Sequence, residues 1–218
     1  MSRALFVCAV RIAALSALLQ PASAVAEEQE FQLWTMASAE TAVAPDTPLV
    51  ADIGYRLRDD ASGDDQFLIR ASADTTLTPL VRLGGGVAHF ETGGVVEWRL
   101  FERVTLARRG FALRSQFEQR FFDDGDRAEL RLRERIQHSW RLDPKTRLAA
   151  SGEWLLRLRN KRQGGDTGTD QLRANIAVTR ELGRGIEATA GYLLIYHPVA
   201  DEPNVLAHVP QISVLRRF

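Results

Sequence analysis

The chain has 218 residues and carries 28 Lys plus Arg against 28 Asp plus Glu, with one cysteine. This length suits a single domain, and the balanced charge argues against a nucleic-acid binder, which usually carries a basic excess. Since the cysteine, Cys8, lies in a segment that we expect to be removed, the mature chain is predicted to have no disulfide, no thiolate and no lipid anchor.

The beginning of the chain has the pattern of a secretory signal peptide. A basic start is followed by a short apolar run and then by small residues, so we predict a signal peptide over residues 1–24, with cleavage after Ala24 or Ala26. A membrane anchor would need about twenty uninterrupted apolar residues, and Arg11 leaves far fewer. The segment holds two of the 28 basic residues and none of the 28 acidic ones, so residues 25–218 remain as one domain with a net charge near −2.

From residue 31 onward, apolar and polar residues alternate in segments that are separated by turn residues. Successive side chains of a strand point to opposite faces, so each segment has one apolar and one polar face. The candidate strands lie at residues 31–36, 49–58, 67–74, 81–89, 96–106, 111–121, 127–142, 147–159, 172–179 and 186–196, and a last strand ends at Phe218. Glycines at positions 84 to 86 indicate a bend or a place where something packs close to the backbone.

The alternation is clearest in the two segments around residues 122–126. Before this turn, Phe111, Leu113, Phe117 and Phe121 oppose Arg114, Gln116, Glu118 and Arg120, and the same pattern continues after it. A helix would spread the arginines around its whole surface. We therefore interpret the pair as a hairpin of a membrane-spanning β-barrel, with its apolar side toward lipid and its charged side toward the lumen.

The connections alternate in length. Those near residues 46, 78, 109, 144 and 184 are short, and most of those near residues 62, 124, 165 and 201 are longer and polar; Thr92-Gly93-Gly94 is a short exception. This asymmetry is typical of an outer-membrane barrel with tight periplasmic turns and roomier external loops. Tryptophans and tyrosines toward strand ends, Trp34 among them, hint at interfacial girdles.

The strand number follows from this count. There are eleven segments, whereas bacterial single-chain barrels use an even number with both termini in the periplasm. The first segment is short, which leaves ten strands, or the stretch up to Pro45 hides a second short strand, which gives twelve. We predict an all-β, single antiparallel transmembrane barrel of ten to twelve strands, with a slight preference for twelve.

The end of the chain resembles the signal by which the barrel-assembly machinery recognises its substrates. Ile212, Val214 and Phe218 fit a pattern of alternate apolar residues with a terminal Phe, whereas Pro210 and Arg216 depart from it. The assembly machinery is therefore an expected partner during biogenesis.

Short arginine-rich motifs along most of the chain carry a family resemblance. In chain order they are FQLWT, YRLR, VVEWRLFER, FEQRF, ELRLRER and GEWLLRLRN. They resemble the domain-of-unknown-function family 2490, a set of bacterial proteins regarded as outer-membrane β-barrels without an established activity. The resemblance implies a barrel and a location, and it carries over no catalytic residue.

The sequence has no nucleophile and base at a workable spacing. His138 and Ser139 are neighbours in a strand and so point to opposite sides, unless a bulge intervenes. The other histidines have no serine in register, and four scattered histidines give no metal-ligand spacing. The acidic loops around residues 59–65 and 123–126 carry the oxygen ligands that calcium takes, but no full EF-hand pattern is present, so we expect solvated acids there. We expect no enzyme activity, no cofactor and no metal.

The charged face is the strongest functional feature. It interleaves glutamates and arginines at Glu97, Arg99, Arg114, Glu118, Arg120, Glu129, Arg131, Arg133, Glu153, Arg157 and Arg173, with Glu187 further along. Only two cations of the mature chain, Lys145 and Lys161, are lysines, and the rest are arginines. The planar guanidinium of arginine suits a crowded network of ion pairs. A GC-rich genome would also favour arginine codons, and composition does not separate the two explanations. Such a lumen is a salt-bridged plug or a narrow path for small anions. Both readings stay open.

We therefore expect a non-enzymatic barrel in the bacterial outer membrane, structural or a narrow channel, in contact with outer-membrane lipids. One alternative is an acyl hydrolase of lipid or lipopolysaccharide, which needs a bulge near His138. A weaker alternative is a soluble periplasmic barrel that binds an apolar ligand, which needs the apolar wall to face inward.

Overall fold

The computed structural model describes residues 28–199 and 203–218, and the predicted signal peptide lies outside the described residues. The described part of the chain contains no helix that could span a membrane. It forms eleven strands: β1 Glu28–Ala44, β2 Thr47–Arg58, β3 Gln66–Thr76, β4 Val81–Thr92, β5 Val95–Arg108, β6 Phe111–Phe122, β7 Glu129–Asp143, β8 Thr146–Arg159, β9 Gly168–Gly183, β10 Ile186–His197 and β11 Val205–Arg217.

The strands close into one barrel in which each strand pairs with its neighbours in the chain. These pairs are antiparallel, and closure comes from a parallel pair between β1 and β11, which runs from Glu28 opposite Val205 to Glu40 opposite Arg217. The all-β barrel and the range of ten to twelve strands are confirmed. The preference for twelve and the fully antiparallel pairing are wrong, because an odd number of strands can close only through one parallel pair.

The first strand explains the miscount. Residues 31–36 were expected to form a short strand, but β1 is 17 residues long and pairs with both β2 and β11 along its length. With eleven strands the two ends of the described barrel lie at opposite rims. The Glu28 amide donates to the Asn204 carbonyl (2.9 Å) at the rim with the longer loops, and the Phe218 amide donates to the Glu40 carbonyl (3.0 Å) at the other rim. The expectation that both ends share one rim is therefore also wrong.

Two of the tight turns at the short-turn rim have the backbone geometry of two-residue hairpins. Arg109 and Gly110 have φ angles of 48° and 86°, and Arg184 and Gly185 have 53° and 73°. Paired positive φ values match the right-handed twist of the flanking strands, and glycine adopts them without steric cost. This rim is consequently compact, whereas residues 59–65, 123–128 and 160–167 form the longer loops of the opposite rim.

The outer wall of the barrel is apolar on all sides. Each strand exposes at least one large hydrophobic side chain, for example Phe31, Ile53, Ile69, Val87, Leu100, Leu113, Ile136, Trp154, Ile176, Tyr192 and Ile212, which are between 37% and 56% exposed. Glutamates within the strands also lie on this wall: Glu134 accepts a hydrogen bond from the Ser115 hydroxyl (2.6 Å), and Glu102 accepts one from Gln119 (3.5 Å). As the alternation predicted, apolar side chains face outward and the arginines of the charged face point into the lumen.

The interior is not uniformly charged. One apolar cluster joins Leu193, Ile195, Ala207 and Val209 with the ring of Trp34. A second cluster joins Leu68, Ala88 and Phe90 with Met36. Trp34 therefore lies inside the barrel and does not belong to an interfacial girdle, which corrects the expectation for this residue.

The glycines of β4 are places where other groups approach the backbone. A Cβ atom on Gly86 would lie 2.6 Å from the Phe101 ring, and one on Gly84 would overlap the Asp74 carboxylate. The sequence predicted either a bend or close packing at residues 84–86, and the structure shows close packing. The space over Gly84 lets Asp74 reach Arg103 on β5.

Candidate functional site

All the predicted lumen charges lie inside the barrel, and all of them except Glu187 form one connected ion-pair network with Asp170. Its members come from β5 to β9 and are Glu97, Arg99, Arg114, Glu118, Arg120, Glu129, Arg131, Arg133, Glu153, Arg157, Arg173 and Asp170. Glu187 stays apart from the network, near the short-turn rim, where it pairs with Arg217 (2.7 Å) and Arg147 (3.2 Å).

Glu118 is the centre of this network. Its side chain is 0% exposed, and it accepts hydrogen bonds from Arg131 (2.8 Å), Arg133 (2.9 Å) and Gln116 (2.7 Å). Arg99 lies 3.8 Å away. A carboxylate buried without such donors would cost several kcal/mol, so each of these arginines stabilises the ionised form.

Two other carboxylates of the network, Glu97 and Glu153, each accept two hydrogen bonds from one planar guanidinium group. Arg120 donates through Nε and Nη2 to the two oxygens of Glu97 (2.7 and 2.9 Å), and through Nη1 to Glu129. Arg133 donates to Glu153 through Nε (3.2 Å) and Nη2 (2.8 Å). A lysine has no such fork. The two lysines of the chain lie in connections between strands, Lys145 in a turn and Lys161 in a loop.

Asp170 is the member that the sequence did not reveal. It accepts hydrogen bonds from Arg131 (3.0 Å) and Arg157. Strict alternation from the inward Arg173 would turn Asp170 outward, but the pairing of β8 with β9 shifts register between Leu155 and Leu156. Such a bulge reverses the facing of the residues beyond it. Alternation in one strand carries no signal of a bulge, and Asp170 lies just before the strand predicted at residues 172–179, so its inward position was not predicted.

Aromatic rings fill the lumen from the opposite wall. The Arg56 guanidinium lies 3.8 Å from the centroid of the Trp34 ring, and that of Arg99 lies 4.2 Å from the centroid of the Phe90 ring. Leu155, on the charged side, is 0% exposed. The interior is therefore packed with side chains, as expected for a barrel of modest strand number.

The histidine and serine pair of the acyl-hydrolase alternative is split between the two faces. His138 packs outside between Phe111 and Trp140, with ring centroids 4.1 and 4.4 Å away. The Ser139 hydroxyl accepts a hydrogen bond from Gln137 (3.2 Å). The register shifts of β7 lie at residues 130–131 and 141–143, so the described strand has no bulge at His138 that would bring the two together.

A second histidine has partners that sequence reasoning missed. His208, also on the outer wall, lies 2.5 Å from the Tyr192 hydroxyl through Nδ1 and 2.7 Å from Gln29 Oε1 through Nε2. These three residues come from β10, β11 and β1. Only the parallel closure of the barrel brings Gln29 there, and that closure was not predicted. The chain of hydrogen bonds satisfies the polar atoms on an apolar wall.

The acids of the long loops serve as hydrogen-bond acceptors for neighbouring groups. Asp59 accepts from the Ser62 hydroxyl and from the Phe31 amide, which hold its pKa below the usual value. Asp124 accepts from the Lys161 ammonium (2.6 Å), and this bond lowers the pKa of Asp124. Among residues 28–199 and 203–218, no group of three or more His, Cys, Asp or Glu side chains has metal-site geometry.

The predicted assembly signal lies on the outer wall at the short-turn rim. Ile212, Val214 and Phe218 are 56%, 45% and 81% exposed, and the Arg216 guanidinium lies 5.4 Å from the Phe218 ring. Its recognition by the assembly machinery stays a prediction.

A protein-family model described as "Protein of unknown function (DUF2490)" matches residues 31–205. Among curated proteins, none matches the chain.

Proposed function

Because the chain belongs to the DUF2490 family, whose function is unknown, we propose from the barrel itself that it is a non-enzymatic outer-membrane barrel with a sealed, structural lumen. The observation that carries the proposal is the sidedness of the wall. Every strand exposes large apolar side chains, while the ion-pair network lies inside. In water such a wall would be a far larger apolar patch than soluble proteins expose, whereas lipid is the solvent that it fits.

The strand lengths support the same environment. A transmembrane strand needs about 9–11 residues when it is tilted, and the shortest strand, β3, has 11. Trp98, Tyr55 and Phe121 lie outside toward the long-loop rim, and Trp140 and Phe111 lie outside toward the short-turn rim. The amphipathic rings of Trp98, Tyr55 and Trp140 are favourable at the membrane interfaces. The short turns would then face the periplasm.

Fractionation tests the location. We expect the full chain in the detergent-soluble outer-membrane fraction, with an electrophoretic mobility that changes on heating because the closed sheet resists detergent at room temperature. Release with the soluble periplasmic proteins would contradict the proposal. That outcome would favour the soluble-barrel alternative, although among the described residues the interior is dominated by ion pairs.

The packed network favours a structural barrel over a channel. Glu118, Leu155, Ala207 and Val209 are each 0% exposed, so side chains from both halves of the barrel block the interior. We therefore expect the purified barrel in a planar bilayer to give no conductance steps above background. A general porin recorded in the same bilayer is the positive control. Discrete steps from the pure protein would favour the anion channel instead.

A further inference from the structure

The lumen contains a cavity of about 230 Å³ in its short-turn half, below the ion-pair network. Arg82 and Ala112 are each the second residue of a strand that follows a short turn, and Arg103 lies in the second half of β5, toward the same rim. These residues line the cavity together with Arg114 and Arg135. Liquid water occupies about 30 Å³ per molecule, so the cavity has room for a small polyatomic ion and water.

The cavity has more cationic than anionic groups. Four arginines and one carboxylate, Asp74, are among its lining residues. Asp74 is engaged with Arg103 through two hydrogen bonds. Arg114 shares Glu153 with Arg133 and Arg173. The lining therefore keeps a positive charge that its own carboxylates do not balance.

Two of the arginines have no carboxylate of their own. Arg135 donates to Gln137 (2.8 Å) and to Ser151 (3.1 Å), both neutral. In the described part of the chain neither Arg135 nor Arg82 has an acidic partner within ion-pair distance. Confining like charges in a cavity with low-dielectric walls concentrates counter-ions there.

Two buried hydrogen-bond donors without a partner also indicate that an anion binds in this cavity. The Nε atoms of Arg114 and Arg135 are buried and have no hydrogen-bond partner among the described residues. Buried donors are normally satisfied, and an unsatisfied one calls for an explanation such as a bound ion. Here both belong to guanidinium groups that line the same cavity, and guanidinium matches the geometry of phosphate oxygens.

We propose that this cavity is a binding site for a phosphate-type oxyanion, either free phosphate or a small phosphomonoester. Arg82, Arg114 and Arg135 hold the anion, and Arg103 stays paired with Asp74. The continuous strand pairing separates the lumen from the outer wall, so a lipid headgroup in the surrounding bilayer does not reach it. The inference depends on the cavity alone and does not require the membrane location.

Calorimetric titration of the full-length protein in non-ionic detergent tests the proposal, with inorganic phosphate and acetate as probes at constant ionic strength. We expect saturable phosphate binding that is tighter than acetate binding, because phosphate carries more negative charge than acetate near neutral pH and offers more oxygen acceptors to the guanidinium groups. Arg135→Gln should weaken phosphate binding about tenfold or more, since it removes a charge-assisted hydrogen bond. Arg82→Gln, which changes an exposed side chain of the same cavity, should also weaken phosphate binding.

Arg147→Gln is the matched control. It removes the same charge at the same rim, and Glu187 keeps its pairing with Arg217. We expect its phosphate affinity to stay within about twofold of the wild type, as for a solvent-exposed pair. Absence of saturable binding, phosphate binding no tighter than acetate binding, or equal weakening by Arg147→Gln would overturn the site and leave only diffuse charge.

Discussion

Glu118→Gln should lower the free energy of unfolding by about 3–5 kcal/mol, the cost of breaking a buried ion pair. The glutamine keeps the shape of the side chain but loses the charge that three guanidinium groups surround. Its amide NH₂ also places a donor where Arg131 and Arg133 donate. Urea unfolding of the purified barrel, followed by the loss of its heat-modifiable mobility, measures the effect.

Glu102→Gln provides the matched comparison for this prediction. Glu102 is also a mid-strand glutamate, but it lies exposed on the outer wall and has no cation within ion-pair distance among the described residues. We expect its removal to leave the unfolding free energy unchanged or slightly higher. If Glu118→Gln unfolds within about 1 kcal/mol of the wild type, the network does not stabilise the barrel, and the plug interpretation fails.

The local architecture was predictable because alternation is a local property. A strand records its two faces in its own sequence, so the hairpin around residues 122–126 was placed with its aromatic side outward and its arginines inward. The turns were predictable for the same reason. Arg109-Gly110 and Arg184-Gly185 lie where glycine and the end of alternation indicated them.

Closure was not predictable, because it depends on which distant strand completes the sheet. Nothing in β1 alone indicates that it pairs with β11 in parallel, and the weak alternation after Met36 hid its full length. The same limit applies to Asp170, which a register shift between two strands turns inward. Leu193 and Ile195 were likewise not assigned to the lumen, because an apolar residue on the inner face does not differ in type from those on the outer face.

Arginine usage has a structural counterpart that composition could not establish. The network consists of shared carboxylates, and forks such as that of Arg120 on Glu97 satisfy two oxygens at once. Lysine is found only in connections between strands, where a single ammonium pairs with a loop acid, as Lys161 does with Asp124. Arginine also occupies turns and loops, as at Arg109 and Arg162, so the structure accounts for arginine inside the barrel but not for its use elsewhere in the chain.

Ile176→Arg should reduce the stability of the barrel in phospholipid vesicles by about 2–4 kcal/mol, the cost of an arginine on the lipid face at the bilayer midplane. Ile176 lies in the middle of β9, on the outer wall, and is 51% exposed. Leu142→Arg is the same kind of change at the short-turn end of β7, where the side chain is 59% exposed. Because the penalty falls to about 0–1 kcal/mol near the interface, its effect should be small.

The contrast between the two variants separates a membrane barrel from a soluble one. In lipid the two penalties differ because only the central position is far from water and headgroups, and urea titration of the vesicle-folded protein reads the difference directly. In water both positions are exposed surface, and an added arginine costs little at either. Equal and small effects of Ile176→Arg and Leu142→Arg would therefore remove lipid as the solvent of the outer wall. The charged network inside would remain, since its ion pairs depend on closure of the sheet and not on what surrounds it.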